Sequence, residues 1–187
     1  MQKRITAALL IALIFLFAAS CKEDPASPQK ETPDIDWPSM TERDDVIRTV
    51  LLAYDNPRSA ESMARYGDVL HSMYFFRLRA TDVEPGGSPI ITRAEDIQST
   101  EWIFESHTML LLEIPEAGAW DPAPEIEGEP CDNCWVTTRQ YYVQAQFGDD
   151  TVIYQSAPDR AFVTVIAAPD EGDSSKWVIR AMFDLGM

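Results

Sequence analysis

The chain has 187 residues, a formal net charge of −16 and a 45% hydrophobic share. A carboxylate excess of this size excludes electrostatic capture of nucleic acid or of anionic lipid headgroups, and the hydrophobic share suffices for one compact domain with appendages. The acidity reads first as surface solubility, with an acidic docking face for a basic partner as the weaker reading.

In chain order, Lys3 and Arg4 open the sequence, Ile5 to Phe17 form an apolar run, and Ala18, Ala19 and Ser20 are small residues ahead of Cys21. Charged start, apolar centre and small-residue end describe a secretory signal over residues 1–20. The apolar run is short for a membrane-spanning helix. Ala18-Ala19-Ser20-Cys21 resembles the bacterial lipobox, and the resemblance implies cleavage before Cys21 and lipid attachment at its sulfur. Several acyl chains would anchor the protein to the membrane without spanning it. The alternative is a secreted protein with a free Cys21. Lys22 rather than an aspartate follows, which by resemblance to sorting in double-membraned bacteria points to the outer membrane. Residues 21–39 hold Pro25, Pro28, Pro33 and Pro38 among charged and polar side chains, the composition of a solvated tether.

A domain is expected over residues 40–187. Ser39 with Glu42, or Thr41 with Asp44, has capping-box spacing, and Val46, Ile47, Val50, Leu51 and Tyr54 then recur on one helical face. Asn56-Pro57 stops that helix. A second runs from Ser59 to Tyr66 with Gly67 as its terminator. A strand is expected over Met73 to Ala80, a loop over Glu84 to Pro89, and a third helix from the Thr92/Glu95 capping box to about Glu105. Thr108 to Glu113 reads as a short strand, and Pro115 to Pro130 as a long acidic loop with Trp120 and Ile126 exposed for partner contact.

From Trp135 to Phe147 strict alternation sets Tyr141, Val143 and Ala145 on one face and Tyr142, Gln144 and Gln146 on the other. A Gly148-Asp149-Asp150 turn follows, then extended chain with an interruption at Pro158-Asp159, then a last strand from Lys176 to Asp184. Short polar turns between such strands predict antiparallel pairing.

Cys131 and Cys134 stand three apart directly before the strand at Trp135. A structural disulfide is the favoured reading. A redox pair lacks a helix N-terminus to stabilise its thiolate, and a zinc half-site lacks nearby histidine. The acidic residues of the 115–132 stretch match no calcium-loop spacing. No glycine loop for phosphate, nucleophile elbow or two-histidine motif occurs, so neither cofactor nor metal is expected. His71 and His107, the two histidines, sit at element boundaries and read as boundary residues rather than general bases.

Two helices, a strand, a third helix and a closing run of strands resemble the NTF2-like, cystatin-type α+β cone, in particular the bacterial lipoproteins of that superfamily. The resemblance rests on Leu52-Ala-Tyr-Asp-Asn56, Thr100-Glu101-Trp-Ile-Phe104 and the closing strand with Trp177 and Asp184. It implies a curved antiparallel sheet around about three helices, with a pocket at the cone's open end. Tyr54, Tyr74, Trp102, Tyr142 and Asp184 are the candidate pocket residues, although the aromatic residues as a set fit a filled core better. The favoured reading is a non-catalytic envelope lipoprotein that binds a small apolar ligand or a protein partner. The alternative is a small lyase, isomerase or hydrolase using Asp, Tyr or His in the cone.

Overall fold

Helical spacing of apolar residues makes the first element. In the computed structural model, α1 spans Asp44–Asp55 and buries Val46, Ile47, Val50 and Ala53. Asp44 and Asp45 in its first turn favour the positive end of the helix dipole. Neither expected capping box forms. Instead the Asp45 carboxylate accepts from the Glu42 N–H at 3.2 Å and from Ser39 Oγ at 3.5 Å. The structure describes residues 34–55, 59–106, 109–147, 151–155 and 161–186. The signal segment, Cys21, most of the tether, Asn56-Pro57, His107, the 148–150 turn and Pro158-Asp159 lie outside the described residues.

Ser59 caps α2, Ala60–Val69, accepting from the Ser62 N–H at 3.1 Å. Gly67 is not a terminator, because the helix continues to Val69 and passes straight into β1, Leu70–Arg77. Its terminal carbonyls are satisfied from elsewhere: Arg93 donates to Gly67 O at 2.7 Å and to Leu70 O at 3.1 Å. A cation at a helix C-terminus is also favoured by the dipole. β1 therefore starts earlier than expected and ends before a short 3-10 turn at Ala80–Asp82, where Arg79 pairs with Asp82 at 2.7 Å. β2, Ile90–Thr92, leads into α3, Arg93–Ser106, through the capping box expected there. Glu95 accepts from the Thr92 N–H at 2.8 Å and from its hydroxyl at 2.7 Å. β3 is Met109–Glu113.

The strand expected over Trp135 to Phe147 is two strands, β7 (Trp135–Gln140) and β8 (Tyr142–Phe147). At Tyr141 the ladder changes partner, and its N–H donates to Ala161 O at 2.9 Å. β9 (Thr151–Gln155), β10 (Phe162–Pro169) and β11 (Trp177–Gly186) follow. With β4, Asp121–Pro122, the described strands form one sheet in the order β2-β1-β11-β10-β7-β4 and another in the order β3-β8-β9. Since β7 and β8 belong to different sheets, the bend at Tyr141 turns one into the other and makes the curved wall. The pairings β7·β10, β10·β11 and β8·β9 are antiparallel, as expected from the turns. β1 pairs β11 in parallel, which makes the sheet mixed rather than antiparallel. The architecture is the expected α+β one, with three α-helices among the described residues on a curved sheet.

β10 divides its side chains between two cores. Val163 and Val165 pack with α1, α2, Leu70, Tyr74 and Ile179, while Ile166 and Ala168 pack on the other face with Ala123, Ile126, Cys134 and Ala181. The acidic stretch supplies that second layer. β5 (Glu125–Ile126) and β6 (Glu129–Pro130) form a hairpin whose turn residues Glu127 and Gly128 have φ of 54° and 86°, the left-handed values a two-residue turn requires. Ile126 is thus buried, not exposed. Trp120 is held as well, its indole N–H donating to Asp44 Oδ1 at 2.8 Å. Both were expected on the surface. Their burial follows from the open edge of β7, which this stretch covers through β4. A disulfide joins Cys131 and Cys134 at the end of the stretch, with Cys134 in the second core.

Candidate functional site

A cavity of about 500 Å³ opens between the helices and the concave side of the wall. Aliphatic side chains make most of its lining, including Val50, Leu70, Leu112, Val143 and Met182. Such a lining accepts an apolar molecule by releasing water from both surfaces.

One polar cluster interrupts it. α1 brings Tyr54, α2 brings Tyr66 and β1 brings Tyr74, while α3 contributes Asp96 and, one turn later on the same face, Thr100. The Tyr66 hydroxyl donates to Asp96 Oδ2 at 2.6 Å, and the Tyr74 phenol neighbours the same carboxylate. Tyr54 Oη and Thr100 Oγ1 share a hydrogen bond of 3.2 Å. The rings of Tyr54 and Tyr66 meet edge-on at 5.7 Å, and Phe104 backs Tyr54 at 5.0 Å.

Burial decides the protonation of this cluster. It raises the Asp96 carboxyl above its ordinary value, against the opposing pull of the two phenols. Burial also pushes Tyr54 up to about 12 and holds Tyr66 and Tyr74 well above the usual phenol range. The three phenols therefore keep their protons throughout the neutral range.

Four of the five residues expected at a pocket line this one: Tyr54, Tyr74, Trp102 and Asp184. Trp102 is 59% exposed and so stands where the cavity meets solvent. Asp184 has Arg79 Nε 3.4 Å from its carboxylate. Tyr142 is the exception. It lines a shallower hollow with Gln140 and Glu113, and its hydroxyl donates to Gln144 Oε1 at 3.0 Å. Tyr141, at the bend, and Val143 and Ala145, which alternate with Tyr142 along β8, face the cavity in its stead; Tyr141 also borders the shallower hollow. His71 does not line the cavity; its Nδ1 accepts from the Met73 N–H at 3.0 Å and its Nε2 lies 3.5 Å from Glu171. Among the described residues no group of three or more His, Cys, Asp or Glu is placed to hold a metal ion.

Sequence reasoning missed Tyr66, Asp96 and Tyr141. The signal for Asp96 lay in α3 itself, whose inward face carries Asp96 and Thr100 where a core-packing helix would carry aliphatic residues. Tyr66 was taken only as the end of a helix, and Gly67 drew attention to termination rather than to the ring before it.

No protein-family model matches the chain, and no curated protein matches it. Solved structures do. The Kfla4162 protein of Kribbella flavida is 9% identical with a TM-score of 0.52, over 76% of this chain and 86% of that one. An NTF2-like protein of unknown function from Exiguobacterium sp. 255-15 is 11% identical with a TM-score of 0.47, over 76% and 98%. A protein of the NTF2-like family from Streptomyces avermitilis is 9% identical with a TM-score of 0.49, over 74% and 88%. At these identities the likeness is one of fold. The order of elements is that of an α+β fold with its helices on a curved sheet, and the solved structures it resembles include NTF2-like proteins.

Proposed function

We propose that this domain is a binding module for a small, largely apolar molecule, carried at the bacterial envelope by a lipid on Cys21. The observation that supports it is the cavity of about 500 Å³ with an aliphatic wall and a single polar cluster. That cluster is largely engaged from within: Tyr66 donates to Asp96 and Tyr54 shares a hydrogen bond with Thr100. A site arranged so orients a bound molecule rather than waiting to abstract a proton from it. Native mass spectrometry of the full-length protein isolated from its own host tests the reading. A retained small molecule, lost when Val143 is replaced by tryptophan to fill the cavity, is the expected result; an empty protein at every preparation goes against it.

The buried carboxyl of Asp96 favours a second reading, a small lyase, isomerase or hydrolase in which Asp96 exchanges a proton with the substrate. Conversion of the retained molecule by the wild-type protein and its accumulation unchanged on Asp96→Asn distinguish that reading from binding alone. Envelope anchoring is tested separately, since Cys21→Ser releases a lipid-anchored protein from the membrane fraction and leaves the pocket intact.

A further inference from the structure

Building on the binding reading above, we propose that the molecule taken by the cavity is an organic cation, a protonated amine on an apolar body. The charges of the lining point that way. Its ionisable groups of opposite sign to a cation are Asp96 and Asp184, and no Lys or Arg lies among the described residues that line it. Arg79 answers Asp184 at 3.4 Å. Asp96 has no cation against it among the described residues; its partners are the neutral phenols of Tyr66 and Tyr74. A half-buried carboxylate with no counter-charge is stabilised when a positive charge reaches it.

Hydrogen-bond polarity gives the same answer. Because Tyr66 spends its hydrogen on Asp96, the lone pairs of its oxygen and of the carboxylate are what this pair has left to offer. A ligand group reaching it has to donate. Ammonium does so in every direction, whereas a carbonyl, an ether or a carboxylate cannot.

The rings complete the case. Tyr54 and Tyr66 stand edge-on at 5.7 Å beside the carboxylate, and Trp102 and Tyr141 lie on the surrounding wall. Aromatic faces attract a cation, most strongly where water is excluded. The carboxylate and the aromatic part of the lining select for positive charge, and the aliphatic remainder selects for an apolar body attached to it.

The test compares three isosteric probes on the purified full-length protein by titration calorimetry: 1-naphthylmethylamine, 1-naphthylmethanol and 1-naphthoic acid. The amine is expected to bind at least about tenfold more tightly than the alcohol, and the acid not measurably. Asp96→Asn, checked for folding by circular dichroism, is expected to bring amine and alcohol to equal affinity. Equal affinity of amine and alcohol on the wild-type protein overturns the cation while leaving the binding module standing, and this comparison needs no variant to fold. Persistence of the amine preference in a folded Asp96→Asn protein likewise overturns the assignment of the charge to Asp96. If none of the three probes binds, the binding module itself fails.

Discussion

Gly118 lies so close against Arg139 that a β-carbon on the glycine would collide with the guanidinium. The guanidinium cannot step aside. It is 4% exposed, with Nη2 2.9 Å from Asp44 Oδ1 and Nη1 3.4 Å from Pro115 O. Gly118→Ala is therefore expected to destabilise the domain by about 1–3 kcal/mol, the usual cost of forcing atoms into a packed site. Thermal denaturation checks this, and an unchanged midpoint refutes it.

Arg139 and Asp44 are unequal partners. Asp44→Ala strands a buried cation and removes the acceptor of the Trp120 indole, while Arg139→Met removes the cation and leaves a carboxylate that water can reach. The first substitution is expected to cost more, about 2–3 kcal/mol. A denaturation series in which Arg139→Met is the worse of the two contradicts this account.

Asp96 predicts a pH dependence of stability. Its folded pKa is raised by burial, so the stability linked to it is complete below the ordinary carboxylate range and is lost as pH rises through the raised value. Melting of wild type and Asp96→Asn across this acidic range should show the wild type losing ground to the variant as pH increases. His71 acts with the opposite sign. Burial lowers its pKa, so its contribution is present above the ordinary imidazole value and lost as pH falls through the folded one. In His71→Gln that loss should be absent.

The facing of β8 makes a paired prediction. Tyr141→Ala should weaken binding of whatever occupies the cavity by about tenfold or more, since it removes part of the wall. Tyr142→Ala should leave binding within about twofold, because that ring lies over a different hollow. Titration of both variants with the same probe decides it.

The disulfide predicts that Cys131 and Cys134 resist thiol labelling of the denatured protein unless a reductant is added. Reduction should cost little stability, because the ring it opens is small.

Helices were the most legible part of the sequence, because each carries its own signals: Ser59 caps α2, and Thr92 with Glu95 closes α3. Strand faces were legible too, but not their direction. Alternation from Trp135 to Phe147 says that Tyr141 and Tyr142 differ, while only the bend at Tyr141 and the ladder to Ala161 say which turns inward. Trp120 and Ile126 read as exposed for a related reason. Their acidic neighbours dictate a solvated stretch, and the edge of β7 that captures it is set by distant residues. Asp96 belongs to the same class, since a single aspartate in a helix acquires meaning only when Tyr66 and Tyr74 arrive from other elements.

The pairing of β1 with β11 also bears on the order in which the sheet assembles. Of the described strands β11 is the last made, and it stands between β1 and β10, so β1 and β2 have no link to the rest of their sheet until it is in place. Leu70 meets Ile179 and Phe76 meets Met182 across more than a hundred residues of intervening chain. A nascent polypeptide holding α1, α2 and β1 must therefore keep an unpaired edge with Phe75 and Phe76 waiting, whether at the ribosome or after crossing a membrane. Folding of this domain is consequently expected to be slow and late, and dependent on a holding chaperone until its final strand emerges.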